Sequence, residues 1–392
     1  MSARQPSVLF SSFGTTIFEV MSALAREHAA VNLGQGFPDG NGPEDVRGKA
    51  AEHLLSGYNQ YPPMFGLPEL RQAVSHNAER FFGLKSDWQK QVIVTSGATE
   101  ALAACLFGLL DPGDEAIIFE PAYDSYGPII RQAGATVVPV PLTPPDWKLT
   151  AAALEAAFTP RTKLVLLNNP MNPAGKVFSE EELRLLADFI VRHDAFAVCD
   201  EVYEHLVFKP ARHIPIMTLP GMEGRTARIG SAGKTFSLTG WKVGYITAAP
   251  ALMPAIAKAH QFLTFTTPPN LQAGVAHGLM KEDGYFTGLA VGMEAKCDKL
   301  AAGLARVGLT PLTSQGTYFI ITDASALLRE GEDDAALAQR LTREAGVASI
   351  PVSAFYQQGD VKHCLRFCFC KDDSTLDEAL ARLGRYLDAR AA

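Results

Sequence analysis

The sequence has no apolar run approaching the roughly 18 residues of a membrane span, so a membrane protein is not expected. It also has no block of like charge: 35 Lys+Arg stand against 42 Asp+Glu, a net charge of −7. That excludes a polybasic membrane anchor and argues against a nucleic-acid surface. Six cysteines in 392 residues are too few for a disulfide scaffold. The first ten residues lack a basic stretch followed by an apolar one, so export is not expected and a cytoplasmic location fits. Several familiar chemical signatures are missing too. Gly34-Gln35-Gly36 opens like a dinucleotide fingerprint, but its third glycine falls at Gly40, one place late. Gly233-Lys234-Thr235 has the tail of a phosphate-binding P-loop, yet Arg228 stands where its first glycine belongs. There is no HExxH and no GxSxG. Cys364, Cys368 and Cys370 have the spacing of one strand face and lack the paired hooks of a zinc site, so no metal is expected and they read as structural thiols.

The composition is that of an ordinary globular protein with 47% apolar residues, and the length corresponds to roughly two to three domains. Residues 91–95, 115–119, 135–140, 163–168, 196–199 and 227–230 are short and mostly apolar, as strands covered on both faces must be. Helical stretches separate them. Residues 98–110 follow the first strand, and Ser179 with Glu182 forms a capping box ahead of Leu183, Leu186 and Ile190 at helical spacing. Repeated strand–helix units predict an α/β fold with a mostly parallel sheet flanked by helices. From about residue 286 the pattern changes. A long helix over 286–307 leads to strands at 317–322, 347–350 and 364–369 and helices at 334–344 and 375–387, which suggests a smaller α+β domain. The expected division is 1–40 as an N-terminal arm and part of the small domain, 41–285 as the large α/β domain, and 286–392 as the small domain.

Five features carry chemistry. Asp200 closes an apolar strand, at the sheet edge where open α/β folds bind ligands. It reads as a turn or helix cap, or as a buried carboxylate paired with a cation such as a protonated pyridine nitrogen. Tyr203, three residues on, could bring a phenol to the same edge. Lys234 follows a strand and has small neighbours on its N-terminal side; a lysine in a desolvated, cationic site becomes a nucleophile or base. Lys242, eight residues later, could supply that cationic setting or bind phosphate. Ser96-Gly97-Ala98-Thr99-Glu100 joins a strand to a helix, either as an ordinary start capped by Ser96 or as a phosphate site. Asn168 to Gly175 is an Asn/Pro-rich turn that would hold the Asn172 amide at the edge shared with Asp200. Arg366 lies on the strand face opposite Leu365, Phe367 and Phe369, so it needs an anion: an internal carboxylate or a substrate carboxylate.

Taken together, SGATEAL, NNPMNPAGKVF, CDEVYEHL, SAGKTFSLTGWKVGY and LRFCFCK resemble the fold-type-I aminotransferases that use pyridoxal 5′-phosphate, over about residues 32–377. The kynurenine, glutamine–phenylpyruvate and methionine aminotransferases are the most similar groups. The resemblance implies a mostly parallel seven-stranded sheet and a homodimer with shared active sites. It implies Lys234 as the Schiff-base lysine, Asp200 as the partner of the pyridine nitrogen, and Tyr203 and Asn172 at the ring hydroxyl oxygen. Ala98, Thr99, Ser231 and Lys242 would hold the phosphate, with Tyr61 reaching that of the neighbouring subunit, and Tyr123 would stack on the ring. Arg366, Asn172 and the backbone at Gly36 would grip the substrate carboxylate. Ile17, within 15–19, and Phe265 of the other subunit would line the side-chain pocket. Many relatives have arginine where this chain has Lys242, which keeps the charge but loses the fork.

The implied activity is a ping-pong transfer of an α-amino group from a methionine-, aromatic-, kynurenine- or glutamine-like amino acid to a 2-oxo acid. Without an obvious second arginine, aspartate is a poor donor. A carbon–sulfur β-lyase on the same scaffold is the alternative. A non-catalytic cofactor-binding regulator is the remote one, because no basic helix is left over for DNA.

Overall fold

Strands covered on both faces must be apolar throughout yet still alternate between two cores. The computed structural model describes residue 4, residues 6–359 and residues 361–391, and it contains seven strands in one sheet, most of them buried on both faces. They are β1 (Val92–Thr95), β2 (Glu115–Glu120), β3 (Thr136–Pro141), β4 (Thr162–Asn168), β5 (Phe196–Asp200), β6 (Thr226–Ser231) and β7 (Gly244–Ala248). Their spatial order is β1-β7-β6-β5-β4-β2-β3. Only β7 runs against the rest, pairing antiparallel with both β1 and β6. The strand reading had anticipated the other six; β7, with Gly244 and Thr247 among its five residues, carries no extended apolar signal. On β4, Leu164 and Leu166 face one core while Val165 and Leu167 face the other. β3 is one of the two outer strands, and it alone of the seven holds two prolines, which an edge strand tolerates because it has unpaired N–H positions.

Helices cover both faces. α1 (Ile17–Glu27) starts at Thr16, whose side chain accepts from the amide of Glu19. α2 (Gly97–Leu109) follows β1 and buries Ala101, Leu102 and Cys105 against one face. α3 (Glu180–Arg192) opens with the expected capping box and sinks Leu183, Leu186 and Ile190 into the core on the other face.

A second, four-stranded sheet is built around β8 (Phe319–Asp323) and β9 (Cys364–Cys368), which pair antiparallel, with short segments at Ile350–Pro351 and Thr310–Pro311 on the outside. Its core takes Leu365, Phe367 and Phe369, as their period of two required, and closes with α4 (Asp283–Arg306) and α5 (Asp373–Ala391). α1 contributes Met21 and Leu24 to this core, and Val31–Asn32 pairs in parallel with Val347–Ala348.

Three expectations change here. The single strand over 347–350 is broken at Ser349, because its halves pair with different partners, Val31–Asn32 and β9. Extended structure does not begin at Thr317, whose φ of 72° places it in the left-handed region. The helix over 334–344 is an α-helix over Asp334–Arg340 that widens to a π-helical turn at Leu341–Ala345 and ends on Gly346 at φ 70°. All six cysteines are buried free thiols. Among the described residues no helix is long and apolar enough to cross a membrane.

Candidate active site

Parallel strands deliver their carboxyl ends to one edge, and the chemistry-bearing residues collect there. Asn168 ends β4, Asp200 ends β5 and Ser231 ends β6. They line a cavity of about 380 Å³, together with Tyr203, Lys234, Lys242, Asn172, Ala98, Thr99, Tyr123, Gly36 and Arg366.

Asp200 is 6% exposed. Its Oδ2 accepts from the Tyr126 hydroxyl at 2.7 Å and its Oδ1 from the Val202 amide at 3.4 Å. Burial pushes this carboxyl up; the Tyr126 hydrogen bond and the charge of Lys234 oppose it. Asn168 ties two segments together: its Nδ2 donates to the Asp200 carbonyl at 2.9 Å and its Oδ1 accepts from the Asn172 amide at 2.7 Å. The Asn/Pro turn is thereby fixed to the end of β5.

Lys234 sits in the short helical turn Ala232–Thr235 that follows β6. Its Nζ lies 5.5 Å from the ring centre of Tyr203 and 5.8 Å from that of Tyr318. Burial lowers its pKa, with nearby Cys370, Cys368 and Asp200 pulling the other way. The Tyr318 hydroxyl donates to the Lys234 carbonyl at 2.6 Å. Among the described residues the amine has no hydrogen-bond or ion-pair partner, so it is held by its backbone and left free for chemistry. The small neighbour Gly233 is needed for close packing, since a Cβ there would lie 3.0 Å from the Thr239 Cα.

The turn before α2 is not the capped helix start that Ser96 suggested. The Ser96 hydroxyl pairs with that of Thr267 at 3.1 Å, its amide donates to Glu100 Oε2 at 3.0 Å, and no side chain caps the helix. Gly97 takes φ 79°, and a Cβ on it would lie 3.4 Å from Lys242 Nζ. The uncapped first turn of a 13-residue helix thus meets a lysine ammonium, and Ser231 lines the same cavity. This is the donor set a phosphate requires. An uncommitted amine, a buried carboxylate, two phenols and a phosphate cradle in one cavity fit pyridoxal 5′-phosphate.

Arg366 is 1% exposed and has no carboxylate partner among the described residues. Its Nη1 donates to Asn172 Oδ1 at 2.9 Å and its Nη2 to the Gly34 carbonyl at 2.6 Å, while its Nε has no partner. The Phe319 ring lies 4.0 Å from its guanidinium carbon, with Phe18 and Phe355 each at 5.2 Å. Burial draws its pKa down to about 10, which leaves it charged at neutral pH. A desolvated cation lined up by neutral acceptors is short of one anion.

Three predicted residues lie outside the cavity lining. Ile17 packs against the core of the second sheet, and its neighbour Phe18 reaches the cavity instead, because one step along a helix turns the side chain by about 100°. Tyr61 and Phe265 meet edge to face at 5.5 Å on the surface, 79% and 40% exposed. The sequence reading gave no role to Tyr126 or Tyr318; Phe18 and Asn168 fall within its segments 15–19 and 168–175, but Ile17 and Asn172 were the residues picked from them. Asn168 closes an apolar strand just as Asp200 does and could have been found from that position; Tyr126, which opens the short helix Tyr126–Gln132, and Tyr318 had no local signal.

Residues 29–383 match the family described as aminotransferase class I and II. The chain is 44% identical over 383 residues to a probable N-succinyldiaminopimelate aminotransferase of Mycobacterium tuberculosis, covering 95% of this chain and 96% of the relative. A solved structure of the N-succinyldiaminopimelate aminotransferase from that organism superposes with a TM-score of 0.94 at 42% identity, covering 97% of this chain and 100% of the other. The methionine aminotransferase of Escherichia coli is 40% identical, with 96% of this chain and 97% of the relative covered. Human kynurenine–oxoglutarate transaminase 1 is also 40% identical, with 92% and 93% covered.

Proposed function

The chain belongs to the class I and II aminotransferases and is a pyridoxal 5′-phosphate-dependent transaminase, and on that premise we propose that its amino donor is methionine-, aromatic-, kynurenine- or glutamine-like and that the acceptor is a 2-oxo acid, in a ping-pong mechanism. When bound, the cofactor supplies an electron sink for the charge left as the α-proton departs. The protein's residues do the rest. Lys234 holds the cofactor and moves a proton to and from the substrate α-carbon. Asp200, steadied by Tyr126, keeps a proton on the ring nitrogen. Tyr203 and Asn172 hydrogen-bond the ring hydroxyl oxygen, and Tyr123 stacks on the ring. The first turn of α2 at Ala98 and Thr99, with Ser231 and Lys242, holds the phosphate.

The observation that carries the reading is Arg366. It offers a buried fork without an internal carboxylate, in the same cavity as Lys234, and a substrate α-carboxylate completes it. Around it the wall is apolar, with Phe18, Phe37, Val202 and Phe319. Among the described residues of one copy, the cations lining the cavity are Lys234, Lys242 and Arg366, and each already has a role, which speaks against a donor with a distal carboxylate. The 44% relative gives a second reading, an N-succinylated diamino acid as substrate.

We place the enzyme in the cytoplasm, in amino acid metabolism, as a homodimer. The exposed Tyr58, Tyr61, Phe262, Leu263 and Phe265 form the apolar surface for a second copy, with Tyr61 reaching the phosphate of the neighbouring site. The division into 1–40, 41–285 and 286–392 is supported by the pairing of Val31–Asn32 with Val347–Ala348.

Half-reaction spectra against a panel of amino acids test the substrate class. Methionine, phenylalanine, kynurenine or glutamine should convert the bound cofactor at least roughly tenfold faster than aspartate. Fastest conversion by N-succinyldiaminopimelate would transfer the assignment to the second reading. Pyruvate and ammonia released from cystathionine without an amino acceptor would favour the β-lyase.

A further inference from the structure

Behind the catalytic turn lies a charge cluster that the reaction as described does not use. Arg228 stands in the middle of β6, opposite Cys199 of β5 and Thr247 of β7, and is 2% exposed. Its guanidinium is ion-paired with two carboxylates at once, Nε with Glu201 and Nη2 with Glu204, each with a side chain 2% exposed. The Phe82 ring lies 5.2 Å from its Cζ. His213 Nε2 joins Glu201 at 2.9 Å, and the Tyr245 hydroxyl of β7 donates to Glu204 at 3.2 Å.

The spacing gives this cluster its meaning. In the segment 200–204, Asp200 and Tyr203 line the cavity, while Glu201 and Glu204 turn the other way onto Arg228. The two pairs repeat at three residues, so fixing one pair fixes the aim of the other. The backbone agrees: the Glu201 amide donates to the Ile229 carbonyl and the Glu204 amide to the Glu201 carbonyl, both at 2.9 Å. Arg228 shares its strand with Ser231, three residues before Lys234, and Tyr245 shares its strand with Gly244, two residues after Lys242. One guanidinium therefore ties together the three segments that carry Asp200, Lys234 and Lys242. Gly230 belongs to the same arrangement, since a Cβ there would lie 2.1 Å from the Tyr245 ring that lies across it.

We propose that Arg228 is a positioning residue for amino transfer: by clamping Glu201 and Glu204 behind the turn, it aims Asp200 and Tyr203 into the cavity. The inference rests on the assignment of Asp200 and Tyr203 to the cofactor ring, and its test separates the two claims.

Cofactor-loaded Arg228→Lys and Glu204→Gln are compared with the wild type by steady-state kinetics, by thermal melting and by titration of the visible cofactor band with pH. Arg228→Lys keeps the charge but loses the fork, and kcat should fall about tenfold with KM within about twofold. Glu204→Gln removes a negative charge near the protons held at the site, so the visible titration should move to lower pH. Glu204→Gln should lower kcat by a smaller factor in a Tyr203→Phe background than in the wild type, because one of the two groups it aims has lost its hydroxyl. Melting temperatures that fall while kcat and the titration stay at wild-type values would overturn the proposal and leave the cluster a support of the fold. Full additivity with Tyr203→Phe would overturn it too. Loss of the visible band from Lys234→Ala, measured in parallel, reports on the cofactor assignment alone.

Discussion

Arg366 and Arg228 are both withdrawn from water, at 1% and 2% exposure, yet they are finished differently. Arg228 closes on two carboxylates of its own chain and a ring face. Arg366 meets a side-chain amide, a backbone carbonyl and three aromatic rings, and among the described residues its Nε has no partner. A buried guanidinium needs an anion. Where the chain provides one, the arginine organises structure; where it does not, the anion must come from outside. The same distinction separates the lysines. Lys176 is buried against Glu182 at 2.8 Å, while the amine of Lys234 faces a cavity.

The contrast is broken most severely at Arg366. Arg366→Met should lower kcat/KM for any amino acid by roughly a thousandfold, equivalent to about 4 kcal/mol. The melting temperature should not fall, because an unpaired buried cation is exchanged for an apolar side chain. Arg228→Met should behave in the opposite sense. It strands two buried carboxylates, and a denaturant melt should show a loss of about 3 kcal/mol of stability. Smaller is Tyr126→Phe, which removes the 2.7 Å hydrogen bond to Asp200 and should weaken cofactor affinity by about 1–2 kcal/mol, measured by equilibrium titration.

The smallest effect concerns Lys234 in protein freed of cofactor. Its folded pKa lies below the ordinary 10.5, chiefly through burial, so the native state binds fewer protons there than the unfolded chain does. Its contribution to stability therefore rises with pH between the lowered value and 10.5. An amine reagent should accordingly label Lys234 at a lower pH than surface lysines. Asp200→Asn removes an anion that raises this pKa and should move the labelling lower still. Labelling that moved up would contradict the placement of the two groups.

Much of this site was legible because it hangs on local pattern. Asn168, Asp200 and Ser231 each end a buried strand of five to seven residues, and parallel strands end together. The face of Arg366 followed from the period of two in Leu365, Phe367 and Phe369. What stayed hidden depends on contacts between distant segments. Tyr126 reaches Asp200 across 74 residues, and Arg366 reaches Gly34 across 332. No periodicity distinguishes Phe18 from Ile17 as the residue that faces the cavity. The clamp on Arg228 was hidden for a related reason: nothing in the segment 200–204 shows that Glu201 and Glu204 share one partner until β6 is placed beside them. The break at Ser349 is of the same kind, since the choice of two different partners is made outside the segment.

The central claim is that the amine of Lys234 carries the cofactor. Borohydride reduction of the loaded enzyme, followed by peptide mass mapping, tests it directly. The account predicts a reduced pyridoxyl adduct on the peptide containing Lys234 and on no other lysine. An adduct at Lys242, the other lysine lining the cavity, or no adduct at all from a fully loaded enzyme, would contradict it.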